Sequence, residues 1–475
     1  MSDCCATNID ENFDVAVIGA GSAGFSAAIT AADEGARVAL IGHGTIGGTC
    51  VNVGCVPSKA LIRAVETLHG ARASDRFDGI EATASVTDWS AVMRQKQALV
   101  DDLRQAKYSD VLPAYNRISY FEGEASFGDD GGLRMNNLRV ATDKVIIATG
   151  TRPGIPTIEG IESVPYLTST TALELKALPA SILVIGAGYI GAEIAQAYAR
   201  AGVSITMVSR RGLLPEAEPE IAQALRGYFK SEGITIVKSI QYKSIKQTSH
   251  GVELLVSGPG GDQTLRAEKV LIATGRAPNT ERMNLAGARI ATRDNGGILV
   301  DAQMRTSRKN VYAAGDVTGT DQFVYMAAYG AKLAAKNAMN GNSLSYDNTV
   351  MPAVVFTDPQ VASVGLSQAA AERAGHKVKV SILTLDHVPR ALAARDTRGL
   401  IKLVADADSH RLLGAHILAP EGADSIQTAA MAIKAGMTYD ELGAMIFPYL
   451  TTVEGIKLAA QTFDMDVKKL SCCAG

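Results

Sequence analysis

The sequence predicts an α/β chain: two three-layer βαβ units, the second inserted into the first, followed by a smaller α+β domain. Three observations predict it. An apolar strand running into Gly-x-Gly-x-x-Gly and an Ala-rich helix occurs twice, at residues 15–18 into Gly19, Gly21 and Gly24, and at 182–185 into Gly186, Gly188 and Gly191. Each copy is followed at a distance by a strand closing in Ala-Thr-Gly, first at Ala148, Thr149 and Gly150, later at Ala273, Thr274 and Gly275. From Tyr346 the pattern changes to short strands and amphipathic helices.

Length and charge bound the function before any motif does. At 475 residues the chain is too long for one ordinary core, and the usual domain size suggests about three. With 46 Lys and Arg against 49 Asp and Glu the formal net charge is −3, and no basic cluster overrides it. That balance argues against nucleic acid or an anionic membrane surface as partner. No apolar run approaches a membrane span, so no membrane insertion is expected and the sequence reads as a soluble cytoplasmic protein.

Residues 1–12 lack a sustained hydrophobic period and read as a flexible tail carrying Cys4 and Cys5. The first strand-turn-helix begins at Phe13. Its glycines permit a tight turn, a close backbone approach to a diphosphate and close helix-on-strand packing, so both copies read as Rossmann-like nucleotide-binding domains. The implied divisions are 13–150 and 276–345 for the first domain, 151–275 for the second, and 346–475 for the last. Residues 88–107 read as a long polar helix, and 118–127 as a strand-pair segment containing Ala125. In the second unit the strand at 203–208 is followed by Ser209, Arg210 and Arg211. No carboxylate is there to accept from a ribose 2′-hydroxyl, and two guanidinium groups can hold a 2′-phosphate, so this unit should prefer NADPH.

Further on, residues 310–316 read as a buried strand closing in Gly315 and Asp316, with Val324 at the start of the next helix. In the last domain, 400–404 and 412–418 flank a polar turn, and 425–437 is an amphipathic helix. Residues 438–441 then have the form of a capping box opening another helix.

The chemistry concentrates at residues 47–59. Cys50 and Cys55 sit in a Gly-rich approach, and Pro57 suits the first turn of a helix. Cys55 is therefore expected at a helix N-terminus, where unpaired N–H groups and the dipole favour a thiolate. The six cysteines fall into three close pairs, Cys4 with Cys5, Cys50 with Cys55, and Cys472 with Cys473. Such spacing points to redox or soft-metal work and away from a stabilising framework.

This run, set among the two Gly-rich turns, resembles the redox-active disulfide of the pyridine nucleotide-disulfide oxidoreductases, the family of glutathione reductase and lipoamide dehydrogenase. The resemblance implies FAD on the first nucleotide unit, NADPH on the second, and a C-terminal dimerisation domain that makes a homodimer with shared active sites. It implies that Cys50 exchanges with substrate while Cys55 stacks on the flavin. Lys59, one helical turn on, would lie near the flavin N5 with Glu193 paired to it. It also implies cofactor contacts from Gly44, Thr49, Ala125, Thr149, Gly150, Arg276, Asp316 and Val324. One departure stands out: where the family usually presents an acidic residue to the adenosine ribose, this chain has Gly42.

The C-terminal segment selects the electron acceptor. Disulfide-reducing members use a histidine, held by a glutamate, as general acid. Here Glu454 is present, Tyr449 stands in the histidine's place, and no histidine follows His416. A tyrosine titrating at about 10 is a poor proton shuttle at neutral pH but a reasonable oxygen contact for a metal. The adjacent Cys472 and Cys473 can together take a soft cation, and Hg(II), which favours two thiolates, suits them. The combination resembles the branch of the family that reduces Hg(II), supplied as thiol complexes, to elemental mercury. Cys472 and Cys473 would pass the ion to Cys50 and Cys55 of the other subunit, with Tyr189 and Tyr449 brought to the metal. The alternative is an NADPH-dependent disulfide reductase of the large thioredoxin reductase kind, which normally keeps the missing histidine.

Overall fold

A computed structural model describes residues 8–469; the pairs Cys4/Cys5 and Cys472/Cys473 lie outside the described residues. The chain divides into two compact units. One comprises the chain up to Ala60, Ala91–Gly154 and Gly275–Asp347; the other comprises Leu61–Ser90, Ile155–Thr274 and the chain from Asn348 onward.

In the first unit the strands Ile118–Glu122, Val38–Gly42, Asn8–Ile18 and Leu138–Ile147 lie side by side in that order, and Val311–Ala313 adds beyond Leu138–Ile147. All these pairings are parallel, with Val17 opposite both Leu40 and Ile146. Alternation along each strand then sorts the side chains. Val15, Val17, Leu40 and Ile146 enter one core beneath the helices Ser22–Asp33 and Val324–Asn340, while Ala16, Ile18, Ile41 and Ile147 enter another on the opposite face. Burial on both faces is why these strands read as unbroken apolar runs. Parallel alignment also gathers the first Gly-rich turn and the first Ala-Thr-Gly at one edge of the sheet.

Two expectations are corrected here. The first strand begins at Asn8, not Phe13, through an irregular pairing of Asn8 with Arg139 and Asn12 with Ala141. Backbone pairing of that kind needs no apolar side chains, so a polar stretch does not announce it. Nor is 118–127 a strand pair. Ile118–Glu122 pairs with Val38–Gly42, whereas Ala125–Phe127 pairs with Leu133–Met135 at the other end of the sheet. The chain leaves the first edge after Gly123, whose N–H donates to the Gly42 carbonyl at 2.7 Å.

Among the described residues of the second unit, Thr235–Lys238, Ser204–Ser209, Ser181–Ile185 and Lys269–Ile272 form a four-stranded parallel sheet in that order. A meander of Gln241–Thr248, Gly251–Gly258 and Gly261–Ala267 shares its core through Ile245, Leu254 and Val256. From Ala353 the chain builds an antiparallel sheet in the order Ala353–Val355, Gln360–Gly365, Leu412–Ala419, Leu400–Asp406 and Val378–Thr384. The pairing of Leu400–Asp406 with Leu412–Ala419 follows the sequence reading, as does the reciprocal capping box of Thr438 and Glu441 that opens Tyr439–Ala444. The amphipathic helix runs Gly422–Lys434, slightly ahead of the 425–437 expected. Among the described residues no helix is long and apolar enough to cross a membrane.

Candidate functional site

The two Gly-rich turns obey one backbone rule. Gly19 has φ +116°, and a Cβ there would lie 2.2 Å from the Ala148 carbonyl oxygen; Gly186 has φ +108°, with the Ala273 carbonyl oxygen at the same 2.2 Å. Each Ala-Thr-Gly strand thus closes against its own turn. Helix-to-turn packing is equally tight, since a Cβ on Gly24 would lie 1.6 Å from the Gly19 oxygen and one on Gly191 2.5 Å from the Gly186 oxygen. The middle glycines differ: a Cβ on Gly188 would meet nothing within 4 Å, and one on Gly21 only Gly48 Cα at 3.4 Å. Both helices start without a side-chain cap. A diphosphate can therefore approach the open backbone N–H groups, and the residues present fit two dinucleotides.

Cys50 lies in the short helix Gly48–Val53, and Cys55 is the first residue of Cys55–Arg72. Gly54 separates them; a Cβ there would sit 2.9 Å from the Thr49 carbonyl oxygen. The two cysteines are half-buried and not in a disulfide. The Cys50 thiol is pushed up by its hydrogen bond with Cys55, then by burial and by negative charge on Cys55, opposed first by a hydrogen bond with the Cys55 backbone and then by the charge of Lys59. Cys55 stands at the N-terminal, positive end of its helix, the place that favours a thiolate. Removing it with Cys55→Ala should shift the pH midpoint for iodoacetamide alkylation of Cys50, followed by mass spectrometry of its peptide, to lower pH. An unchanged profile would disprove the coupling.

Three residues absent from the sequence reading brace this pair. The Asn52 amide donates to the carbonyls of Ile46 and Gly48, each at 2.9 Å, and its side-chain oxygen accepts from Arg104 at 3.1 Å. Arg104 ends the helix Trp89–Arg104, after which the chain makes a π-helical turn, Gln105–Ser109, in place of the α-helix expected to Lys107. The wider turn brings the Tyr108 hydroxyl 3.0 Å from Ser22 Oγ and its ring edge-on to Phe25. Burial pushes the Tyr108 phenol up, and negative charge on Cys50 and Cys55 adds to it. One aromatic near the end of a polar helix is the only signal the sequence carries.

A polar cluster gathers beside Gly150. Arg276 Nε donates to Thr151 Oγ1 at 2.7 Å, and its Nη2 donates to the Thr151 carbonyl at 2.8 Å and to Thr49 Oγ1 at 3.5 Å. The Thr151 hydroxyl donates to Asp316 at 2.9 Å. Burial pushes the Asp316 carboxyl up and the Arg276 guanidinium down, and each charge partly offsets the shift of the other. Thr149 and Gly150 are tied to Asn279, which donates its amide to the Thr149 carbonyl and its N–H to the Gly150 carbonyl. Thr151 and Asn279 thus join Thr49, Arg276 and Asp316, although neither belongs to a motif. Val324 opens Val324–Asn340, Ala125 opens Ala125–Phe127, and a Cβ on Gly44 would meet nothing within 4 Å.

In the second unit Tyr189 opens the helix Tyr189–Arg200, its phenol pushed up by burial and by the charge of Glu216. Glu193 is buried and accepts the Phe356 N–H at 2.9 Å. The hydroxyl of Ser209 is engaged within its own turn, donating to the Gly212 carbonyl and accepting from the N–H groups of Arg211 and Gly212. Arg210 and Arg211 are exposed at that strand end, Arg211 in a surface ion pair with Glu216 at 2.7 Å. Tyr449 is 55 % exposed. Glu454 is buried and accepts the Leu450 N–H at 3.0 Å, so it braces the loop that presents Tyr449, in which Leu450 has φ +59°. Met445, Ile446 and Leu450 leave apolar surface open beside it, Ile446 at 97 % exposure.

The family model for pyridine nucleotide-disulphide oxidoreductases matches residues 13–338, and that for the family's dimerisation domain matches 351–460. The chain is 47 % identical over 479 residues to a mercuric reductase of Acidithiobacillus ferrooxidans, covering 99 % of this chain and 86 % of the relative. It is 45 % identical over 468 residues to one of Streptomyces lividans, covering 98 % of each. Among solved structures it resembles a Cu(II) complex of the HOCl-induced flavoprotein disulfide reductase RclA from Escherichia coli. The TM-score is 0.84 at 29 % identity, over 95 % of this chain and 99 % of that one.

Proposed function

Since the chain belongs to the pyridine nucleotide-disulphide oxidoreductase family, we propose that it reduces Hg(II) to elemental mercury, with NADPH as electron source and FAD as relay. The observation that carries this is near full-length similarity to mercuric reductases. Tyr449 in the place of a proton-donating histidine supports it, because reducing a metal ion calls for no protonated leaving group.

When bound, the two cofactors supply a hydride and a two-electron relay. Overall, NADPH and Hg(II) give NADP⁺, elemental mercury and one proton. The work of the chain is to hold the ion as it is reduced. Cys472 and Cys473 of the partner subunit deliver it by thiolate exchange: a bond from mercury to the tail breaks as one to Cys50 or Cys55 forms. Cys55 enters as the thiolate, and the Cys50 thiol releases its proton only as sulfur meets the metal. Tyr189 and Tyr449 offer oxygen contacts to the ion. In this reading residues 13–150 and 276–345 hold FAD, with Arg276 and Asp316 toward it. Residues 151–275 hold NADPH, with Arg210 and Arg211 on its 2′-phosphate, and 346–475 pair two copies into a homodimer with shared active sites. Dependence on NADPH fits a cytoplasmic location.

The test is elemental mercury evolved per NADPH oxidised in excess small thiol, for the parent and for Cys472→Ala with Cys473→Ala. A one-to-one ratio is expected, with slower evolution by the variant and unchanged flavin reduction by NADPH. Turnover of thioredoxin or glutathione disulfide without turnover of Hg(II) would overturn the reaction. Equal rates for the two proteins would remove the delivery role.

A further inference from the structure

In a nucleotide unit of this type, the residue closing the second strand ordinarily accepts a hydrogen bond from the adenosine ribose. Here that residue is Gly42, which has no side chain to offer. The space is not open. A Cβ on Gly42 would lie 2.7 Å from Ala20 Cβ, 2.8 Å from Tyr120 Oη and 3.0 Å from Tyr120 Cε2. Tyr120 therefore occupies the volume that an acidic side chain at position 42 would need.

Tyr120 arrives from the neighbouring strand Ile118–Glu122, whose parallel register sets Tyr120 beside Leu40 and Glu122 beside Gly42. Residues two apart on a strand share a face, so Glu122 stands on the face that Tyr120 presents to Gly42. It is exposed, and its charge adds to burial in pushing the Tyr120 phenol up, so the carboxylate and the phenol sense each other. Among the described residues neither the Tyr120 hydroxyl nor the Glu122 carboxylate has a hydrogen-bond or ion-pair partner. A carboxylate thus returns to the edge where Gly42 lacks one, one strand further out.

We propose that Glu122, with Tyr120 beneath it, is this chain's acceptor for the ribose hydroxyls of the adenosine half of FAD, in place of a carboxylate at position 42. The assignment rests on the reading that the first unit binds FAD. No bond is made or broken; two hydroxyl donors meet a carboxylate that has no competing cation.

The experiment strips flavin from the holoenzyme and titrates the apoprotein, by quenching of flavin fluorescence, with FAD and with an analogue carrying 2′,3′-dideoxyribose on the adenine side. For Glu122→Ala, FAD affinity should fall about tenfold or more, the size of one hydrogen bond to a charged group, while affinity for the analogue stays at the parent value. Gly42→Glu alone should also weaken FAD, because its Cβ meets both Ala20 and Tyr120. Adding Tyr120→Ala and Glu122→Ala to it should regain the part of the loss that comes from Tyr120, the contact with Ala20 remaining. Parent affinity for FAD in Glu122→Ala, or equal losses for FAD and analogue, would overturn the assignment. Failure of the parent apoprotein to take up FAD at all would instead overturn the reading beneath it.

Discussion

Cys50→Ala is expected to bring mercury evolution down to the rate of NADPH and Hg(II) in buffer, a loss of roughly a thousandfold or more, because a chelating pair becomes a single ligand. Cys50 and Cys55 stand on two helices joined by the tight turn at Gly54, and among the described residues there is no further cysteine to substitute. The Thr49, Thr151, Arg276 and Asp316 cluster does not include the Cys50 side chain, so the variant should keep its flavin and still bleach it with NADPH. Mercury evolution near the parent rate in a variant with a normal flavin spectrum would show that the ion is reduced elsewhere.

Gly24→Ala should largely abolish flavin retention. Its new methyl group would sit 1.6 Å from the Gly19 carbonyl oxygen, and Gly19 cannot yield because it is itself pressed against the Ala148 carbonyl. No rotamer relieves a clash between backbone and Cβ, so the turn must open, at a cost of about 3 kcal/mol or more. Gly70→Ala is the contrasting change. Gly70 lies inside Cys55–Arg72 with nothing within 4 Å of its would-be Cβ, and alanine there should stabilise the helix by up to about 1 kcal/mol. Flavin content after purification and thermal unfolding of the two variants check the pair. Full flavin occupancy in Gly24→Ala would mean that the turn is far softer than this packing implies.

What could be read from the sequence follows the range of the forces involved. The strand-turn-helix copies are legible because Gly19, Gly24 and the carbonyl of Ala148 constrain one another through backbone geometry alone, and the Ala-Thr-Gly repeat is the trace of that constraint. Pro57 made the helix start at Cys55 legible in the same local way. Tyr120 in the space beside Gly42 is not legible, since it depends on which strand joins the sheet edge and in what register. The Asn52 and Arg104 bond joins segments far apart in the chain, and the placement of Tyr108 depends on a π-helical turn that no residue pattern marks. Glu454 shows the middle case. Its presence is plain in the sequence, but its bond to Leu450, a residue in the left-handed conformation, is not.

The loop braced by Glu454 has a consequence for how the protein comes into being. A newly synthesised copy displays Ile446 almost wholly to water, with Met445, Tyr449 and Leu450 nearby. Left uncovered, such an apolar strip is open to chaperones and to chance aggregation, and the hazard grows with the concentration of chain.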